Sequence, residues 1–243
     1  MERRGKVKVA IFIVVLFSIA LTLNIVMAAN PEGPEVINVT ANETKQTTQS
    51  KKINISGGRI ATLNLTASQQ NERWKAFVGW VNGEYTLDDA GGSTIYDWSF
   101  EVTKGRVYAT KDSATIQWAS IGCANTSILE SENQEMNHNN TGDNITATFD
   151  DSTHNSFYVG DTFISSSSCP TLNTYENSNP QDSKFEEMAL YDKNNHVVYA
   201  TIMEDEEVGF DGSNYDFQMI VPEDGSTDFS GSTAYYLYVE LGS

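Results

Sequence analysis

Cys123 and Cys169 are the two cysteines of this 243-residue chain. They stand 46 positions apart, with no Cys-x-x-Cys spacing and three scattered histidines, His138, His154 and His196. Such a pair fits one disulfide in an exported protein better than a zinc site. The acids fall in short groups: Asp88 with Asp89, Asp143 with Asp150 and Asp151, Glu204 to Glu207, and Asp211, Ser213 and Asp216 around a Gly turn. Calcium takes six to eight oxygens from such groups, and Asp88, Asp89, Asp211, Ser213 and Asp216 are the candidate ligands, although no stretch follows the twelve-residue calcium loop. No other cofactor is expected. Trp74, at the start of an alternating stretch, and Trp118 are the aromatic residues free to stack on a sugar ring. There is no Gly-x-Ser-x-Gly, no His-Glu-x-x-His and no Gly-rich phosphate loop, so the chain reads as a non-enzyme.

Seven asparagines, Asn38, Asn42, Asn54, Asn64, Asn125, Asn139 and Asn144, begin Asn-x-Ser/Thr acceptor patterns for glycosylation. Four of the five asparagines between Asn30 and Thr66 are acceptors, a density that marks a glycosylated stalk. The formal charge is -18, and residues 1–8 carry four bases against one acid, so the chain without them stands at -21. That field repels phosphate backbones and excludes nucleic acid as a partner.

These residues need elements to position them. Arg3, Arg4, Lys6 and Lys8 precede an uncharged run from Val9 to Ala29, which reads as an export segment. Val26-Met27-Ala28 offers a cleavage site, a run of 21 uncharged residues also suffices to anchor the chain in the cytoplasmic membrane, and Arg4-Gly5 offers a prepilin-type alternative. Residues 30–58 are polar and read as a linker or stalk, and residues 59–243 as one β-domain. Within it, Trp74 to Trp80 alternates with period two and Asn82-Gly83 supplies a hairpin turn. A three-strand meander over residues 74–102 follows, with Tyr96, Trp98, Phe100 and Val102 on its core face and Trp80 packed beside Val78. Further strands are expected over Ile60 to Leu65, Arg106 to Thr110, Ala114 to Trp118, Ile145 to Phe149, Ser156 to Val159, Phe185 to Tyr191, Val197 to Ile202, Tyr215 to Val221 and Ala234 to Leu241. Polar loops are expected over Ala124 to Asn144 and Ser165 to Lys184. No helical period stands out after the export segment. The fold class is all-β, an antiparallel sandwich or jelly roll.

Over RWKAFVGWVNGEYTLDDAGGSTIYDWS, YDFQMIVPEDG and STAYYLYVEL the chain resembles uncharacterised exported archaeal cell-surface proteins. The resemblance implies an archaeal source and an extracellular or cell-surface position, and it carries no catalytic residues. The expected function is non-enzymatic work in an envelope layer, adhesive coat or filament. Its partners would be envelope proteins, glycans or copies of the chain itself, and one version has Ile53 to Thr66 supplying a strand to a neighbouring subunit. The alternative is a carbohydrate-binding module that recognises glycans through exposed aromatics.

Overall fold

A computed structural model describes residues 30–99 and 102–242. The expected export segment over residues 9–29 and the expected core residue Phe100 lie outside that range. Among the described residues, no helix is long and apolar enough to cross a membrane.

The strands run in order as β1 (Trp74–Gly79), β2 (Glu84–Asp88), β3 (Thr94–Ser99), β4 (Lys104–Thr110), β5 (Gly122–Cys123), β6 (Phe157–Val159), β7 (Thr162–Ile164), β8 (Thr171–Asn173), β9 (Glu186–Tyr191), β10 (Val197–Ile202), β11 (Glu207–Val208), β12 (Asn214–Tyr215), β13 (Phe217–Pro222) and β14 (Tyr236–Gly242). Two helices, α1 (Thr126–Glu135) and α2 (Ile145–Thr148), lie between β5 and β6. All pairings are antiparallel, as the sequence predicts for an all-β class.

The layers are unequal. One six-stranded sheet, ordered β14-β4-β10-β9-β5 with β8 also against β9, forms the centre. Its inner strands are covered on both faces, which is why they read as nearly unbroken apolar runs. Val107, Ala109, Ala189, Val197 and Tyr199 face the two-stranded β1–β13 layer and the helices, where Met219, Val221, Leu129, Ile145 and Phe149 close a first core. Tyr108, Met188, Leu190, Val198 and Ala200 face the other way, against Ile116, Trp118, Ile121 and the β6–β7 hairpin residues Phe157, Val159 and Ile164.

Several expectations are corrected by local physics. Ile145, Ala147 and Phe149 alternate like a strand, but Ile145 and Phe149 are also four apart. They make one face of α2, whose N-terminus Asn144 caps by accepting from the Ala147 N–H at 2.8 Å. Asn125 caps α1 in the same way through the Ile128 N–H, so the expected loop over 124–144 contains a ten-residue helix. Ala114 to Trp118 forms no strand and leads into a 3-10 turn at Trp118–Ser120. The three-strand meander does not form either: β1 pairs with β13 and β2 with β3. His138 and His154 are buried. His154 Nε2 accepts from the backbone N–H groups of Ser168 and Cys169, both at 3.0 Å, and so holds the loop that carries Cys169.

The expected disulfide Cys123–Cys169 is formed. Its position explains its use. The outer edge of β9 is shared by two very short strands, β5 at Leu190 and Tyr191 and β8 from Glu186 to Met188, and the bridge ties the end of one to the start of the other. Strands of two and three residues hold few ladder bonds of their own, so closing the 46-residue loop between them supplies what pairing does not. On chain entropy this amounts to about 4 kcal/mol. Replacing both cysteines by alanine should lower unfolding free energy by about that amount in urea titration. Hydrogen exchange should accelerate first at β5 and β8. An unchanged midpoint would show that the β9 edge is held without the bridge.

Candidate functional surface

Trp74 and Trp118, the expected sugar-stacking residues, belong to the cores instead. Trp74 is half-buried, donates its indole N–H to the Asp143 carbonyl at 2.8 Å, and packs against His138 and Phe149 at 5.4 and 6.5 Å. Trp118 is buried between Tyr108 and Tyr238, with ring centroids 5.3 and 5.1 Å away. Trp80, expected in the core, is instead 54% exposed. It follows the end of β1 and lies beside the β11–β12 hairpin, where its indole donates to the Asn214 carbonyl at 3.0 Å. Its ring is 5.4 Å from Tyr215, which stacks on the exposed Phe210 at 6.1 Å. No alternation rule could place Tyr215 beside Trp80, because the contact depends on β1 pairing with β13.

The candidate calcium ligands do not converge. Asp89 Oδ1 accepts from the Gly91 and Ser93 N–H groups, and these bonds, Ser93 first, hold its carboxyl below the usual range. Asp88 accepts from the Thr86 hydroxyl in the same hairpin. Asp211 is lowered chiefly by the Ser213 N–H and also accepts from the Tyr215 hydroxyl, while Asp216 turns inward and accepts from the Val81 N–H at 2.8 Å. Backbone turns use these oxygens. Among the described residues no three His, Cys, Asp or Glu side chains gather as a metal site.

Buried acids do occur beneath this surface. Glu187, on β9, accepts from the Ile220 N–H at 2.8 Å and so bonds the central sheet to β13. Its second oxygen is unpartnered, and burial lifts its carboxyl well above the ordinary range. Glu132, on α1, is pushed up to about 7 by burial, against the opposing pull of Lys111 at 3.3 Å.

The feature that remains is outside the body. Residues 35–70 carry no strand or helix, and none of their backbone groups bonds another described residue's backbone. The segment is tied at both ends. Before it, Glu32 makes an isolated two-bond bridge with Val239 on the outer edge of β14, and Pro31 and Pro34 on either side prevent the bridge from growing. After it, Asn71 and Arg73 both reach Asp143, at 2.9 and 3.4 Å. Across the loop, Lys45 bonds Ser68. Ile37, Val39, Ile53, Ile55, Ile60, Leu63 and Leu65 are exposed, Ile60 at 99%. The strand expected over Ile60 to Leu65 is therefore unformed.

The β2–β3 hairpin is the second element with an exposed apolar face. The register puts Tyr85 opposite Trp98 and Leu87 opposite Tyr96, so these four share one face. The sequence places Tyr96 and Trp98 in the core, yet both are exposed, Trp98 at 50%. The turn at Asp89 to Gly92 forms as expected, and Tyr85, Leu87, Tyr96 and Trp98 all remain exposed on the apolar face. The hairpin root touches β14, where the Tyr85 hydroxyl donates to the Leu241 carbonyl at 3.2 Å.

The acceptor asparagines divide by setting. Asn38, Asn42, Asn54 and Asn64 are exposed on the loop, and Asn139 is exposed beside a polar cleft of about 410 Å³ lined by Arg73, Asn137, Ser226 and Thr227. Asn125 and Asn144 spend their side-chain oxygens as helix caps, and the Thr146 hydroxyl of the last pattern accepts from Asn133 at 2.8 Å.

Glu132 gives the pH prediction. A carboxyl whose folded pKa lies above its unfolded value, about 4.3, favours folding most when protonated. Its contribution is present below that value and is lost as pH rises through about 7. Glu132→Gln should therefore raise stability at pH 8 by about 2 kcal/mol and change little at pH 4, since Lys111 keeps Glu135 at 2.7 Å. Urea midpoints at the two pH values measure this, and an equal effect at both would refute it.

Comparison with known proteins returns no match: no family model, no curated protein and no solved structure is similar to this chain.

Proposed function

We propose that this is a non-enzymatic protein of a cell-surface layer, coat or filament, and that it assembles by lending the 35–70 loop to a neighbouring copy. The observation that carries the reading is that the loop has no backbone partner among the described residues and exposes a row of branched apolar side chains, while the β2–β3 hairpin exposes a second apolar face. An isolated two-stranded hairpin is marginal in water and gains from a third strand or a covering layer. Charge supports a second copy as the partner. The loop carries four bases, Lys45, Lys51, Lys52 and Arg59, against Glu35 and Glu43, whereas residues 71–243 carry seven bases against 29 acids. A +2 segment is drawn to a body of -22, and a second copy offers that body. Length allows it. A 36-residue loop doubled back on itself reaches about 60 Å, against a radius of gyration of about 15 Å for a domain of this size.

The export-like segment, the bridge between Cys123 and Cys169 and the exposed acceptors on the loop support an extracellular setting. Retention of residues 9–29 would anchor the protein to the cytoplasmic membrane.

Replacing residues 36–69 by a short Gly-Ser linker should leave a folded monomer, with melting temperature within about 3 °C of the intact protein, that no longer forms oligomers in light scattering or fibres in electron microscopy. The intact protein's assembly should weaken between 50 and 500 mM salt, as screening removes the long-range attraction. Assembly that persists without the loop ends this reading.

A carbohydrate-binding reading is favoured by one arrangement, the adjacent Trp80, Tyr215 and Phe210 rings with Asp211 at their rim. Saccharides stack on such rings and bond to such acids. Titration with neutral oligosaccharides should then change tryptophan fluorescence, and Trp80→Ala should abolish the change. No response in the intact protein excludes it.

A further inference from the structure

Resting on the assembly reading above, we infer that the acceptor asparagines of the loop carry glycans on one face of the lent strand, and that these glycans decide which face can dock. The evidence is a repeated tetrapeptide: Ile37-Asn38-Val39-Thr40, Ile53-Asn54-Ile55-Ser56 and Leu63-Asn64-Leu65-Thr66. In an extended strand successive side chains leave opposite faces. Each unit therefore puts two branched apolar side chains on one face and both acceptor residues, the asparagine and its hydroxyl partner, on the other. The fourth acceptor obeys the same parity. Asn38, Thr40, Asn42 and Thr44 share one side of their stretch, while Ile37, Val39 and Ala41 share the other. All four asparagines are exposed on a segment with no backbone partner, so a transferase can reach them.

The chemistry is an ordinary amide glycosylation. The asparagine Nδ2 attacks C1 of a polyprenyl-phosphate-linked oligosaccharide, the C1–N bond forms as the C1–O bond breaks, and the polyprenyl phosphate and one proton leave. The sugar is bulky and hydrated, so the face that bears it cannot enter a core. A bare amphipathic strand can slip by one residue and present its other face. A glycosylated one is held with Ile53, Ile55, Leu63 and Leu65 inward. The same sugars would keep loops from stacking on each other through their polar sides, a hazard of any unpaired strand.

The test puts sugar on the apolar face and leaves the branched apolar residues in place. In one variant Ala41→Asn, Asn42→Gln and Glu43→Thr are combined with Ala67→Asn and Gln69→Thr. New acceptor patterns then begin at positions 41 and 67, on the side of the strand that carries Ile37 and Val39 or Leu63 and Leu65, while Asn38 and Asn64 stay on the other side. Full-length protein is made in a glycosylating host and in one lacking the transferase, and intact mass counts the glycans. Polymer formation by the glycosylated variant should fall at least ten-fold below the glycosylated parent. Without glycans, variant and parent should assemble within about two-fold of each other, because Ile37, Val39, Leu63 and Leu65 are unchanged. Equal assembly of the two glycosylated proteins, or an intact mass showing no sugar on the parent, overturns the inference. Assembly of the loop-replaced protein overturns the earlier reading instead, so the two failures are distinct.

Discussion

Burial of β4, β9 and β10 on both faces is the constraint from which the other features follow. A sheet covered on one side could accept a further layer, but here the chain itself supplies both. The β1–β13 pair and the helices close one face through Met219, Val221 and Phe149, and the β6–β7 hairpin and Trp118 close the other. Both edges are also occupied. β5 and β8 divide the β9 edge and are bridged, while Glu32, between two prolines, caps β14 at Val239. Since the body is complete, the loop and the β2–β3 hairpin are left outside it.

The same constraint explains what could be read from the sequence. Val197–Ile202 is found at its true boundaries because burial on both faces leaves an unbroken apolar run that ends in polar turns. The β2–β3 face could not be read so well. Alternation of Tyr96 and Trp98 reports that one face is apolar, not that anything covers it, and the covering layer is a long-range fact. Ile145 to Phe149 fails for another reason, since residues at i and i+4 satisfy a strand period and a helix period equally. On the candidate surface, the cysteine pair was legible from number and spacing alone. The tryptophans exchanged places because exposure of Trp74 and Trp80 depends on β1 choosing β13, more than 130 residues away, over the adjacent β2. The parity of the loop acceptors was open to view in the sequence; alternation applied to apolar residues alone does not register it.

Charge limits how such a body can associate. With 29 acids against seven bases in residues 71–243, two bodies repel before their surfaces meet. Face-to-face packing would also press more carboxylates out of water, in a fold that already holds Glu187 and Glu132 at raised pKa. A thin segment of opposite sign avoids both penalties. It carries little surface of its own, and its bases lie between its apolar units instead of within them.

The energetics also require several units together. Ordering seven residues costs about 7–14 kcal/mol of backbone entropy. Two buried apolar side chains return about 3–6 kcal/mol, and ladder hydrogen bonds add about 1 kcal/mol each. One docked unit therefore comes close to balance and would exchange quickly. Two further units on the same loop bind at high effective concentration once the first is seated, so their contributions accumulate without a new association cost. The spacing of the acceptors, 16 residues from Asn38 to Asn54 and ten from Asn54 to Asn64, leaves room for a turn such as Gly57-Gly58 between docked stretches. A face-selecting modification matters most under these conditions. With each unit near balance, a wrongly faced register would cost little by itself, and only a group too large and too hydrated to bury makes the alternatives unequal.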